Sequence, residues 1–241
     1  MKTWQKMIIP TLITLAIGGI YLFIVFKHRQ NPGVTSQTPP SQQLTADDVA
    51  VVRMEFPQHF ADTQELEGKS VWMKNGYSMP YYPYSGGHVE FTKQVGLLPA
   101  DQRLEVKKII KTPVPASVKD NIEHGTHQAM VVFTLPGGND QFATPVGYLG
   151  NGTDEHYFTD LLFYYDDPHT IYSNWPRDIW AAIDAHQVKP GMNELQTRTA
   201  IGMKMHPDED TEGDRTVDYD VNGKHYAVTF QKDHATAIKS E

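Results

Sequence analysis

The chain contains no cysteine. That excludes disulfides, thiol nucleophiles, thiolate-ligated zinc or iron–sulfur centres, and a lipidated N-terminal cysteine. Positive charge is also scarce: 21 Lys and Arg stand against 29 Asp and Glu, for a formal net charge of −8. Without a basic face to neutralise phosphates, a general nucleic-acid role is disfavoured. No Gly-rich phosphate loop, G-x-S-x-G elbow, Walker pattern or HExxH helix is present, so the common nucleotide, hydrolase and zinc-protease signatures are missing. At 241 residues the chain has room for one large or two small domains.

What is present begins with an apolar run. Met7–Phe26, MIIPTLITLAIGGIYLFIVF, is 20 residues without a charge, the length that crosses a bilayer core of roughly 30 Å at 1.5 Å per residue. The alternatives are a cleaved signal peptide and a buried core helix. A signal peptide has a shorter apolar core and small residues at its cleavage site, whereas this run ends in Ile24-Val25-Phe26 followed by Lys27-His28-Arg29. The run is therefore expected to remain as a single-pass membrane anchor. Lys2 and Lys6 before it nearly balance Lys27 and Arg29 after it. The expected location is the bacterial inner membrane, with a short cytoplasmic N-terminus and a periplasmic soluble domain.

Residues 30–65 read as a linker. Gln30–Leu44, QNPGVTSQTPPSQQL, is too polar to bury a core, and Thr45–Ala61 is expected to hold a short helix capped by Thr45. From Leu66 the pattern turns to strands. Ser70–Lys74, the turn word Asn75-Gly76, and Tyr77–Tyr84 read as a hairpin. Arg103–Lys111, Gln128–Leu135, Gln141–Leu149 and His156–Tyr165 supply further strands. Several short strands in about 100 residues suggest a small antiparallel β-barrel over 66–167. Pro176–His186 and Asn193–Ile201 then read as helices, the second with a capping box of Asn193 and Gln196. Arg215–Val221, Lys224–Gln231 and His234–Lys239 alternate as a three-strand meander, which makes 168–241 a separate module. The fold class expected is α+β: an N-terminal transmembrane helix, a small antiparallel barrel, then a helix–helix–three-stranded meander.

The densest group of reactive side chains is Asp166-Asp167-Pro168-His169. In a structural reading, Asp167 caps the turn begun by Pro168, Asp166 adds favourable charge at the helix start, and His169 packs a junction with Tyr172 and Trp175. In a chemical reading, Asp166, Asp167 and His169 serve as metal ligands or an acid–base pair. Adjacent residues on a tight turn diverge, so a metal would need help from His156, Asp160 or His186. The structural reading is preferred, and neither a catalytic residue, a metal nor a cofactor is assigned. His206–Asp214, with Asp208, Asp210 and Glu212 before Gly213, mimics the start of a calcium loop. The twelfth position, where a bidentate Glu belongs, is Tyr219. A solvated acidic loop is preferred there. Tyr77, Tyr81, Tyr82 and Tyr84, interleaved with Pro80 and Pro83, are the candidate binding residues, as an aromatic groove for extended peptides or cell-wall stems. The alternative is that they fill the barrel. Asn151-Gly152-Thr153 matches a glycosylation triplet and reads more simply as a turn.

Two resemblances sharpen these expectations. Val188, Pro190-Gly191-Met192, Glu194-Leu195-Gln196, Ile201-Gly202, RTVDY, YAVTF and HATAI together resemble the BamE-like (SmpA/OmlA) module, also found in the β-lactamase inhibitor protein. The resemblance covers about Ile179–Lys239 and implies an envelope location and protein binding. The chain departs from that family in lacking a cysteine to acylate, in having MKMHP after Gly202 rather than Gly-x-Pro, and in Val217-Asp218-Tyr219 where a Trp-x-Tyr strand is usual. Leu66–Tyr165, with GKSVWMKNG, YSMPYYPY and VGLLP, loosely resembles a bacterial Src-homology-3-type barrel. The expected function is a non-enzymatic, membrane-anchored envelope scaffold that binds a protein. The alternatives are a peptidoglycan-binding module and a metal-assisted hydrolase at Asp166–His169.

Overall fold

The computed structural model describes residues 45–47, 49–74, 79–120, 122–202, 213–221 and 224–240, together with Gly18 and Tyr21. The chain divides into two units, Met1–Asp48 and Val49–Glu241. All that follows concerns the second. Apart from Gly18 and Tyr21, the Met7–Phe26 run lies outside the described residues, and among those residues no helix is long and apolar enough to cross a membrane.

The second unit is mostly β-sheet. Twelve strands are described: β1 Ser70–Met73, β2 Met79–Ser85, β3 His88–Val89, β4 Gly96–Leu98, β5 Arg103–Thr112, β6 His127–Thr134, β7 Gln141–Leu149, β8 Glu155–Tyr157, β9 Phe163–Tyr164, β10 Arg215–Val221, β11 Lys224–Gln231 and β12 His234–Ser240. The helices are short: α1 Phe60–Thr63, α2 Thr159–Leu162, α3 Pro168–Ile171, α4 Arg177–Asp184 and α5 Glu194–Ile201. β1 to β9 form one antiparallel sheet in the order β3-β2-β7-β6-β5-β1-β9, with β4 on β2 and β8 on β7, and β10-β11-β12 form a second.

The expected fold class is corrected by this topology. Among the described residues the larger sheet does not close: β3 and β9 end it, and no ladder joins them. The protein is thus a mostly β structure built on an open nine-stranded sheet, with no barrel and no membrane-spanning helix among the described residues. Local strand patterns do not encode closure, because a barrel strand and an open-sheet strand alternate alike. Three smaller expectations also change. β1 pairs with β5 and β9, and β2 pairs with β3, β4 and β7, so the two are not hairpin partners across Asn75-Gly76. His156–Tyr165 is not one strand: β8 pairs with β7, β9 pairs with β1, and α2 lies between. Among the described residues, Thr45–Ala61 contains no helix before Phe60. Val49–Pro57 is neither helix nor strand, with Ala50 and Val52 packed inward and Val49 and Val51 facing out. That period of two suits its β-branched residues.

Burial explains the strand sequences. β6 is almost wholly buried because Ala129, Val131 and Phe133 enter one core while Met130 and Val132 enter another on the opposite face. In β5 the buried positions run Leu104, Val106, then Ile109, a change of parity. The pairing jumps from Val106↔Phe133 to Lys108↔Val132, so Lys107 is the extra residue of a bulge. Gly147 is demanded by close approach, since a Cβ there would lie 2.2 Å from the His156 carbonyl oxygen. A third core contains Tyr164, Tyr172, Trp175, Trp180, Ile183 and the inward faces of β10 and β11, with Trp72 of β1 against it. The two sheets therefore meet through an aromatic seam. Asn193 and Gln196 form a reciprocal capping box at the start of α5, and Gly202 ends that helix at φ 94°. The Arg215–Glu194 ion pair ties the start of α5 to β10.

Candidate functional site

The seam carries the charged groups of interest. Asp167 caps α3: its Oδ1 accepts from the His169 backbone N–H at 2.9 Å, and Pro168 sits at the first helical position where its missing N–H costs nothing. Asp166 points elsewhere and pairs with Arg53 at 3.4 Å. Two members of the candidate trio thus have structural roles. The third, His169, does not simply pack. Its ring stacks on Trp180 at 3.9 Å and 22°, while its Nδ1 lies 3.0 Å from the Asp167 carboxylate and its Nε2 3.5 Å from Asp184 Oδ1. Trp180 and Asp184 are four apart on α4 and share a face, so one helix supplies both the platform and the carboxylate.

A third acid completes the corner. Asp101 lies in the turn between β4 and β5, at φ 61°, a conformation that Asp and Asn tolerate better than other non-glycine residues. Its backbone N–H donates to the Met73 carbonyl at 2.9 Å, and the Met73 N–H donates to Gln102, which pins the turn to the end of β1. β9 is the neighbour of β1, and this adjacency delivers Asp101 to the α3 turn. One ligand atom from each of Asp101, His169 and Asp184 lies within 4.8 Å of the others. Asp101 Oδ1 is buried and has no hydrogen-bond partner among the described residues. Burial pushes the Asp101 carboxyl up to about 7; His169 opposes the shift, and the Asp184 and Asp167 charges add to it.

The platform under His169 is a run of packed aromatic rings. Trp180 packs on Trp175 at 4.9 Å, and Trp175 stacks on Tyr172 at 4.5 Å and 11°. Tyr172 meets Tyr164 edge-on at 6.2 Å. Burial, followed by the neighbouring Tyr172, raises the Tyr164 phenol above its ordinary range.

The other sequence candidates do not join this corner. Asp160 accepts from the backbone N–H groups of Glu55 and Phe56 and from the Tyr165 hydroxyl, each at 2.8 Å. His156 lies 2.8 Å from Asp154 and stacks on Tyr148, and His186 Nδ1 lies 3.3 Å from the Ala200 carbonyl. Of the aromatic groove, Tyr77 lies outside the described residues, while Tyr82 and Tyr84 are buried at 2% and 7% exposure. Tyr81 is half-buried against Phe133 and Phe142. Asp208, Asp210 and Glu212 also lie outside the described residues; Tyr219 is fully buried in β10. Sequence reading missed Asp101 and Asp184. The second had one usable signal, its i+4 relation to Trp180. The first had none, because it is brought in by strand pairing alone.

A second feature lies on the surface. Val49–Pro57 forms a strap across the seam, and Val49, Val51, Met54 and Phe56 are exposed at 60%, 87%, 44% and 65%. Phe56 adopts φ 50°, an unfavourable conformation for a bulky residue. The Asp160 carboxylate holds it there. A shallow cleft opens beside the strap, with Glu55, Pro57, Asp62, Lys69 and Tyr165 in its lining.

No family model matches this chain, and neither the curated proteins nor the solved structures include a significant match to it.

Proposed function

We propose that the chain is a membrane-tethered module of the bacterial envelope that binds a protein partner through the Val49–Pro57 strap. The observation that carries this reading is the strap's ordered apolar surface. Val49, Val51, Met54 and Phe56 are exposed, the Glu55 and Phe56 backbone N–H groups donate to Asp160, and Phe56 sits in a strained backbone conformation. Contiguous apolar side chains and strain at the surface both mark contact sites. The apolar Met7–Phe26 run and the polar Gln30–Leu44 segment support a tether at the inner membrane with the domain in the periplasm. The BamE-like resemblance of Ile179–Lys239 favours a protein as the partner. The peptidoglycan alternative loses two members of its aromatic surface to the interior, Tyr82 and Tyr84.

Position-specific photo-crosslinking in cells tests the proposal. A crosslinking residue at Phe56 is expected to give one discrete adduct, and the same residue at exposed Lys119 is expected to give none. Equal patterns at both positions, or no adduct at Phe56, would overturn it. Protease treatment of spheroplasts tests the location separately: the domain is expected to be cleaved, and protection would place it in the cytoplasm. Sedimentation with purified peptidoglycan is expected to leave the protein in the supernatant.

A further inference from the structure

We propose that Asp101, His169 and Asp184 form a binding site for one divalent transition-metal cation. The site is independent of the strap and of any partner bound there.

The three residues come from the β4–β5 turn, α3 and α4, and their ligand atoms lie within 4.8 Å of one another. Zinc bonds of about 2.0–2.2 Å to nitrogen and oxygen place tetrahedral ligands roughly 3.5 Å apart. The His169 Nε2 to Asp184 Oδ1 separation is already 3.5 Å. The Asp184 side chain is exposed and free to close the remaining gap by rotation. Two features point to a cation rather than to a chance gathering of acids. Asp101 has a buried Oδ1 with no hydrogen-bond donor among the described residues, and an unsatisfied buried carboxylate oxygen calls for a partner such as water or an ion. In addition, His169 is placed as metal-binding histidines are placed: its Nδ1 lies 3.0 Å from the Asp167 carboxylate, and the tautomer that donates across this contact presents the Nε2 lone pair to the ion. Stacking on Trp180 fixes the plane of the ring.

Among the described residues, Arg53 and Lys189 are engaged by other acids: Arg53 pairs with Glu55 and Asp166, and Lys189 pairs with Asp178. The donor set is one imidazole nitrogen and two carboxylate oxygens without sulfur. That selects a borderline ion such as Zn²⁺ over soft Cu⁺, and the imidazole disfavours Ca²⁺, which takes six to eight oxygens. Three protein ligands leave a coordination position open to water.

The test is titration of the full-length, chelator-stripped chain with ZnCl₂, followed by calorimetry and by tryptophan fluorescence, with CaCl₂ as control. One Zn²⁺ per chain is expected, with a change in Trp fluorescence because Trp180 underlies His169. Co²⁺ is expected to give a visible absorption band at the same stoichiometry. Asp101→Asn and Asp184→Asn should each weaken Zn²⁺ binding at least about tenfold, and His169→Gln should abolish it. Asp167→Asn keeps an Asn cap on α3 but removes the charge behind His169, so affinity should fall by about 10- to 100-fold. Absence of saturable Zn²⁺ binding would overturn the proposal. So would Zn²⁺ binding of unchanged affinity in Asp184→Asn and His169→Gln, which would place the ion on other histidines. Asp184 is exposed, so its variant reports on the site even if another variant fails to fold.

Discussion

Asp160 and Asp101 meet opposite fates. The Asp160 carboxylate receives two backbone N–H groups and one tyrosine hydroxyl, and its own backbone carbonyl accepts from Lys74 Nζ at 2.5 Å. Asp101 has a buried oxygen with no donor among the described residues, and two further carboxylates nearby. The first is a clamp whose hydrogen bonds shape the strap. The second is an arrangement that a polypeptide does not complete by itself. A carboxylate's chemistry is set by its donors, so identical side chains serve structure in one case and ligand capture in the other.

The largest expected effect is on the clamp. Asp160→Ala removes three hydrogen bonds to a charged acceptor and should cost about 2–4 kcal/mol in urea denaturation, with proteolysis newly appearing in the strap. A loss below about 0.5 kcal/mol, the size usual for an unremarkable surface position, would show that the clamp holds nothing. Next comes Asp101→Asn in the presence of chelator, which should stabilise the protein at pH 8 by about 1–3 kcal/mol, less than the full equivalent of its pKa shift because the residue is not wholly shielded. Asn tolerates the same positive φ, so backbone strain is unchanged. Smaller still, Asp167→Ala should lose about 1 kcal/mol as a cap, while Asp167→Asn should lose a few tenths. That pair separates Asp167 as a cap from Asp167 as the support of His169. The smallest effect is expected at Glu155, whose carboxyl is held below its usual range mainly by the Tyr157 hydroxyl, helped by the Phe60 N–H and Lys111. Its contribution is present above the ordinary carboxylate range and fades as pH falls through the depressed value. Glu155→Gln should flatten the acid limb of a Tm profile below about pH 4.5.

Local features were legible in the sequence where one stretch contains the whole cause. The cap at Asp167-Pro168 and the box of Asn193 and Gln196 depend on residues within three positions. Alternation marked β10 and β11, whereas the bulge at Lys107 in β5 emerged only from the strand pairing. Which strands pair was not legible. The Asn75-Gly76 turn word suggested a β1–β2 hairpin, but pairing energy with β5, β9 and β7 decides the neighbours. The aromatic groove failed at Tyr82 and Tyr84 because period two alone does not say whether one or both faces of a strand are covered. The Asp101–His169–Asp184 corner depends on that non-local pairing, so His169 was found and its two partners were not.

The central claim, that the Asp101 corner is completed by a cation, is tested most directly by Tm against pH with and without Zn²⁺. The folded-state value of Asp101 lies near 7, above its ordinary 3.8. The native state therefore holds an extra proton between those values, and chelated protein should lose stability as pH rises through that window. Zn²⁺ should replace the proton and restore Tm at pH 7–8 in the wild type, with little effect in Asp101→Asn, whose profile should be flatter throughout. Parallel profiles for the two proteins, with Zn²⁺ shifting both equally or neither, would contradict the account.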